Sequence, residues 1–182
     1  MRNLLDAELD ATNTAHRMRP HPPVTSVLDN QLFIGGLPDN EALQILRKEG
    51  VKHIINCCAQ EYLTDPLIAE EFHAHNLECY DTADYFILHH DYEPFAKLLM
   101  NILQKQEKVF VHCIGGINRS VTLCCTFLME MLQISPVAAV KKLRKNGRMY
   151  ILDNVSFRHQ LVDFYFQVVL PRINEEEVLH RA

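Results

Sequence analysis

The chain has 182 residues, with 18 Lys plus Arg against 23 Asp plus Glu and a formal charge of −5. At 48 % hydrophobic and 23 % charged its usage is ordinary for a globular protein, with enough apolar material for one full core. No apolar run reaches the ~20 residues of a membrane span, and mild acidity gives no support to a nucleic-acid or anionic-membrane binder. Residues 1–23 form a preamble in which Leu4, Leu5 and Leu9 line one side of a short helix. Helix end, flexible tail and a dimerisation arm over residues 1–19 are all open readings there. From Val24 the pattern settles. V-T-S-V-L and Q-L-F-I-G read as two short strands joined by a tight Asp29-Asn30 turn. Asp39-Asn40 precede a helix with Leu43, Ile45 and Leu46 on its apolar side and Gly50 as its stop. V-K-H-I-I-N-C-C is a buried strand, L-I-A-E-E-F-H-A-H a second helical stretch, and L-E-C-Y-D another short strand.

A long helix is predicted over 92–106, with Phe95, Leu98, Leu99 and Ile102 at helical spacing. K-V-F-V-H-C follows as a strand, then a Gly-rich turn and the buried helix R-S-V-T-L-C-C-T-F-L-M-E-M-L. Ser135-Pro136 opens a further helix closed by Asn146-Gly147, and a last helix is ended by Pro171. The alternation predicts an α/β domain over 24–170, with a central, mostly parallel sheet of about five strands flanked by helices. An N-terminal arm (1–23) and a loose C-terminal tail (171–182) flank it.

The chemistry is concentrated in V-F-V-H-C-I-G-G-I-N-R-S. A strand ends in His112-Cys113, five residues follow, and Arg119-Ser120 begin a helix. Backbone N–H groups of such a loop, with the helix N-terminus, form a concavity for an anion of phosphate size. Gly115 and Gly116 allow tight folding, and Arg119 offers a planar fork to two phosphate oxygens. The same positive environment favours the Cys113 thiolate, a nucleophile that would form a phosphocysteine. Expelling an alkoxide or phenoxide needs a proton, and Y-D-T-A-D-Y-F supplies Asp81 and Asp84. The residues alone do not choose between them.

H-C-I-G-G-I-N-R-S resembles the His-Cys-x5-Arg-Ser/Thr signature of the protein tyrosine phosphatase superfamily, and the helix after it resembles the dual-specificity branch. V-L-D-N-Q-L-F-I-G-G, V-K-H-I-I-N-C-C-A-Q-E and D-N-V-S-F-R-H-Q-L resemble further stretches of that branch. The resemblance covers 24–170. It implies Cys113 as nucleophile, Arg119 as phosphate-binding arginine, and Ser120 as the hydroxyl that helps the thiolate leave. The loop amides come from Ile114, Gly115, Gly116, Ile117 and Asn118 together with Arg119. Asp81, about thirty residues before the Cys, matches the general acid, with Asp84 as backup. His112 matches the residue bracing the thiolate, and Asn56 and Asn154 match positions that hold the loop. Cys58, or less favourably Cys57, falls where some superfamily members keep a redox partner for the catalytic cysteine. Simple burial is the alternative.

No signal peptide is visible, so the cysteines are expected as reduced thiols, in a cytoplasmic or nuclear protein. The histidines at 73, 75, 89 and 90 are read as no metal site, and the chemistry needs no cofactor. K-K-L-R-K-N-G-R reads as the solvated face of a helix, and the aromatic residues of 84–95 either edge the cleft or pack the loop down. The resemblance implies a protein phosphatase of the atypical, catalytic-domain-only kind, which includes viral versions. It would act on phosphotyrosine and phosphoserine or phosphothreonine in phosphoprotein partners, as a monomer or a homodimer through residues 1–19. The rival readings are a phosphatase of phosphoinositides or RNA 5′-triphosphate ends, and a phosphoprotein-binding scaffold with little turnover.

Overall fold

The computed structural model describes residues 1–17 and 21–179, with side chains through 175. A first helix, α1 (Arg2–His16), precedes the strand pair β1 (Val24–Leu28) and β2 (Leu32–Gly35). Asp29 and Asn30 take φ of 37° and 57°, the two left-handed residues that a two-residue hairpin turn needs. Helix α2 (Asn40–Glu49) starts where Asp39 accepts a hydrogen bond from the Ala42 N–H (2.8 Å) and stops at Gly50, φ 73°. Then follow β3 (His53–Asn56), α3 (Pro66–Glu71), β4 (His73–Asn76), α4 (Ile87–His90), α5 (Tyr92–Gln104), β5 (Val109–His112), α6 (Arg119–Leu132), α7 (Pro136–Lys145) and α8 (Val155–Phe164). A π-helical turn (Tyr165–Val169) leads into α9 (Leu170–Leu179).

The sheet order is β1-β2-β5-β3-β4, antiparallel only between β1 and β2. Strands β2, β3 and β5 are buried along their whole length, as apolar runs covered on both faces must be. On one face Phe33, Leu46, Val51, Ile54, Phe72 and Phe110 pack under α2. The larger core on the other face surrounds α6, buried at every residue from Arg119 to Met129. In register, Gly35 and Asn56 both flank His112, so three loops leave the sheet side by side at its carboxyl end, the usual place for a ligand in such sheets.

Four expectations are corrected. The helical stretch 67–75 ends at Glu71, and His73–Asn76 is the edge strand; residues 77–81 are extended loop, not a strand. Phe72 turns into the core, and the chain past it pairs with β3. Pro171 does not end the last helix. It is the second residue of α9, directly after the π turn, and the helix continues through it. The expected loose tail is thus helical through Leu179, and 180–182 lie outside the described residues, as does part of the expected break at 16–23 (residues 18–20). Among the open readings of the N-terminus, α1 is a helix lying against α7 and α8 of its own chain, with Leu5, Leu9 and Asn13 buried.

Candidate active site

Strand β5 delivers Cys113 at the centre of the sheet's carboxyl end, 2 % exposed. Among the described residues, the amides of 114–118 donate to no backbone carbonyl. Asn118, at the head of α6, does not cap that helix with its side chain. The helix therefore keeps its first N–H groups for a ligand. Gly116 turns the loop with φ 62°, and a Cβ there would lie 2.4 Å from the Gly35 carbonyl carbon and oxygen. Only glycine fits that crossing.

Ser120 Oγ lies 3.3 Å from Cys113 Sγ and donates to it. Arg119, 3 % exposed, donates through one terminal nitrogen to Glu61 (2.7 Å) and to the Cys79 carbonyl (3.1 Å). Its Nε is buried without a partner. Burial opposes the Arg119 charge, but the neighbouring Cys113 and Glu61 more than restore it. A buried donor left unpaired is costly, so this one is shaped for an oxyanion.

Asp81 stands across the mouth of the loop. Its carboxylate accepts from Asn118 Nδ2 (3.0 Å) and Asn154 Nδ2 (3.1 Å). Asn154 also caps α8 through its Oδ1 and donates its backbone N–H to Asn118 Oδ1 (3.1 Å), so one residue ties acid, loop and helix together. Asp84 is held below the usual carboxylate range by the Thr82 hydroxyl and its own N–H. Of the two aspartates, Asp81 is the one hydrogen-bonded to Asn118 of the loop.

His112 is buried against Phe110, its Nδ1 3.3 Å from the Cys113 carbonyl, and burial lowers its pKa to about 4. Asn56 accepts from the Cys58 N–H (2.9 Å) and donates to the Tyr62 carbonyl (2.7 Å), fixing the turn that presents Glu61. Cys58 is a free, buried thiol. Burial and the charge of Cys113 push it up to about 12, against the ionisation that disulfide exchange requires. Tyr85 hydrogen-bonds Asp91 (2.7 Å) and stacks on His90, and Ile87 is buried. These residues pack the segment down, while Phe86 is exposed.

Two partners were not read from the sequence. Glu61 had no signal beyond its place in N-C-C-A-Q-E. Arg148 lay hidden in the run read as a solvated face, where Arg144 and Arg148 in fact point inward. Arg148 is fully buried and donates to the carbonyls of Gly116 (2.9 Å) and Pro22 (2.9 Å) and to Thr25 Oγ1 (3.2 Å).

The description "dual specificity phosphatase, catalytic domain" matches residues 32–167, and the chain belongs to that family. That family's catalytic domain is named for phosphatases, hydrolases of phosphoric esters. The putative tyrosine phosphatase 197R of Invertebrate iridescent virus 6 is 31 % identical over 132 residues, 68 % of this chain and 48 % of that protein. The chain spans less than half the length of such relatives. In fold it is similar to DUSP15 (TM-score 0.69, 22 % identity, 84 % of this chain and 95 % of that one). It is likewise similar to PTPMT1 in complex with PI(5)P (TM-score 0.68, 18 % identity, 84 % and 99 %).

Proposed function

We propose that the protein hydrolyses phosphotyrosine and phosphoserine or phosphothreonine in phosphoproteins through a phosphocysteine. The observation that carries this is the convergence of the Cys113 sulfur, the unpaired Arg119 Nε and the Asp81 carboxylate on one loop with free amides. The Cys113 thiolate attacks phosphorus while the bond to the leaving oxygen breaks, and Asp81 passes its proton to that oxygen. The loop amides and Arg119 stabilise the equatorial oxygens. Water then attacks phosphorus, Asp81 takes its proton, and the sulfur departs as thiolate with the Ser120 hydroxyl donating to it. No step calls for a metal or cofactor.

The test is hydrolysis, with EDTA present, of a doubly phosphorylated Thr-x-Tyr peptide. Wild type releases phosphate from both residues; Cys113→Ser releases none, and Asp81→Asn is slower by about 10² to 10⁴. Full activity in Asp81→Asn moves the acid to Asp84.

The second reading, a phosphoinositide substrate, is favoured by the fold shared with the PTPMT1–PI(5)P complex. Loop positions 114–118 (Ile, Gly, Gly, Ile, Asn) carry no Lys or Arg for further phosphates, which supports the protein substrate. No release from the peptide, with release from phosphatidylinositol phosphates, would reverse that ranking.

A further inference from the structure

Residues 149–154 form an irregular strap between α7 and α8, and such a segment must find its backbone partners elsewhere. On one side they are in the active site. The Leu152 N–H donates to the Ile117 carbonyl (2.9 Å), and Asn154 holds Asn118 and Asp81. On the other side they trace to α1. Asn13 grips Ile151 twice, Nδ2 donating to its carbonyl (2.8 Å) and Oδ1 accepting from its N–H (3.2 Å).

Helix α1 reaches the strap by two further routes. Arg158 donates to the Leu152 carbonyl (2.6 Å) and pairs with Asp10 (2.6 Å). Arg144 donates to the Met149 carbonyl (3.3 Å) and pairs with Glu8 (3.2 Å). Both guanidiniums are buried.

Asn13 occupies the place where the buried stripe Leu5, Leu9 would continue with a third apolar residue. An amide 5 % exposed there is unfavourable unless both its ends are bonded, as they are. Leu152 has φ 55°, a conformation leucine holds only when its surroundings impose it. That conformation goes with a Leu152 N–H aimed at the phosphate loop. The strap is therefore held in a strained conformation that serves the loop, gripped from behind by Asn13.

We propose that α1, which lies outside the family-matched 32–167, is part of the catalytic apparatus. In this role Asn13 is a positioning residue that holds Ile117, Asn118 and Asp81 in place through the strap. The proposal rests on the reading of Cys113, Arg119 and Asp81 as the reacting groups.

The test compares wild type with Asn13→Leu and Asn13→Asp in the full chain. Leucine continues the apolar stripe, so the helix stays seated while both bonds to Ile151 are lost; aspartate keeps only the acceptor. Two readouts are taken: hydrogen exchange of the Leu152 amide by NMR, and kcat for phenyl phosphate against p-nitrophenyl phosphate. The poorer phenoxide leaving group depends more on Asp81.

In Asn13→Leu, Leu152 exchange rises and kcat for phenyl phosphate falls, each about tenfold, with a smaller fall for p-nitrophenyl phosphate and little change in KM. Asn13→Asp, which sets a buried carboxylate oxygen against the Ile151 carbonyl, shows effects at least as large, and Leu4→Ala, exposed on the same helix, matches wild type. Unchanged Leu152 exchange, or an unchanged ratio between the two substrates, overturns the proposal. If wild type itself is inert while Leu152 exchange still rises in Asn13→Leu, the clamp stands and the catalytic reading of the site has failed.

Discussion

The phosphate loop has two faces, each with a buried arginine, and the two side chains are used in opposite ways. On the outer face Arg119 keeps a buried Nε unpaired beside the Cys113 sulfur. On the inner face Arg148 turns its Nε and both terminal nitrogens on Thr25, Gly116, Pro22 and Ile34. Burial pulls Arg148 down to about 10, so it stays charged at neutral pH. The spare donor of Arg119 lies beside the nucleophilic sulfur and is available to a ligand, whereas Arg148, with its nitrogens committed, is a strut. What separates them is the inventory of partners, since both are buried.

The sharpest test is to remove each in turn. Arg119→Ala should cut kcat/KM by about 10² to 10³, the range for losing a donor aimed at an oxyanion, with a smaller loss of stability, since it orphans one carbonyl, that of Cys79. Arg148→Met should do the reverse. It orphans the Gly116 and Pro22 carbonyls, at about 1–3 kcal/mol each, which urea denaturation reads directly. Equal effects on activity and stability from both would erase the distinction.

His112 lies at the root of the loop and tests the inner face by pH. Its folded pKa of about 4 lies below the usual 6.5, so the native state resists a proton that the unfolded chain accepts. Above pH ~6.5 there is no penalty; as pH falls from there towards ~4 the stability declines, by about 3 kcal/mol in all. Urea midpoints across that window should show the decline, and His112→Gln should flatten it.

The smallest effect is on the outer face. Glu61 holds one terminal nitrogen of Arg119 from a half-exposed position. Glu61→Gln should raise KM about three- to tenfold with kcat little changed, since one charge-assisted hydrogen bond that positions the fork is weakened. A change in kcat alone would show that Glu61 acts on the chemistry instead.

The outer face was legible in the sequence because His-Cys-x5-Arg-Ser is local: strand, turn and helix N-terminus are contiguous, and spacing alone brings their groups together. Asp81 needed the family resemblance, because its approach to Asn118 and Asn154 crosses 37 and 73 positions. The inner face left no local trace. Arg148 and Arg144 sit in a run of Lys and Arg, and which of them turn inward is decided by carbonyls over a hundred residues away. Asn13 is one polar residue on an amphipathic helix, and its partner is an irregular strap with no periodicity to read. Strand β4 was misread for a related reason. H-A-H-N has no apolar alternation, and at a sheet edge it needs none, whereas the alternating L-E-C-Y-D imitates a strand.

That same edge bears on how the protein behaves when concentrated. The last strand of an open sheet exposes a row of amides and carbonyls on which another chain can polymerise. Here the row is four residues long, its side chains are two imidazoles, a methyl and a carboxamide, and the rings of His73 and His75 lie against His53. Nothing in it would reward a second sheet for stacking. On this side the sheet thus ends in a strand too short and too polar to seed a fibre.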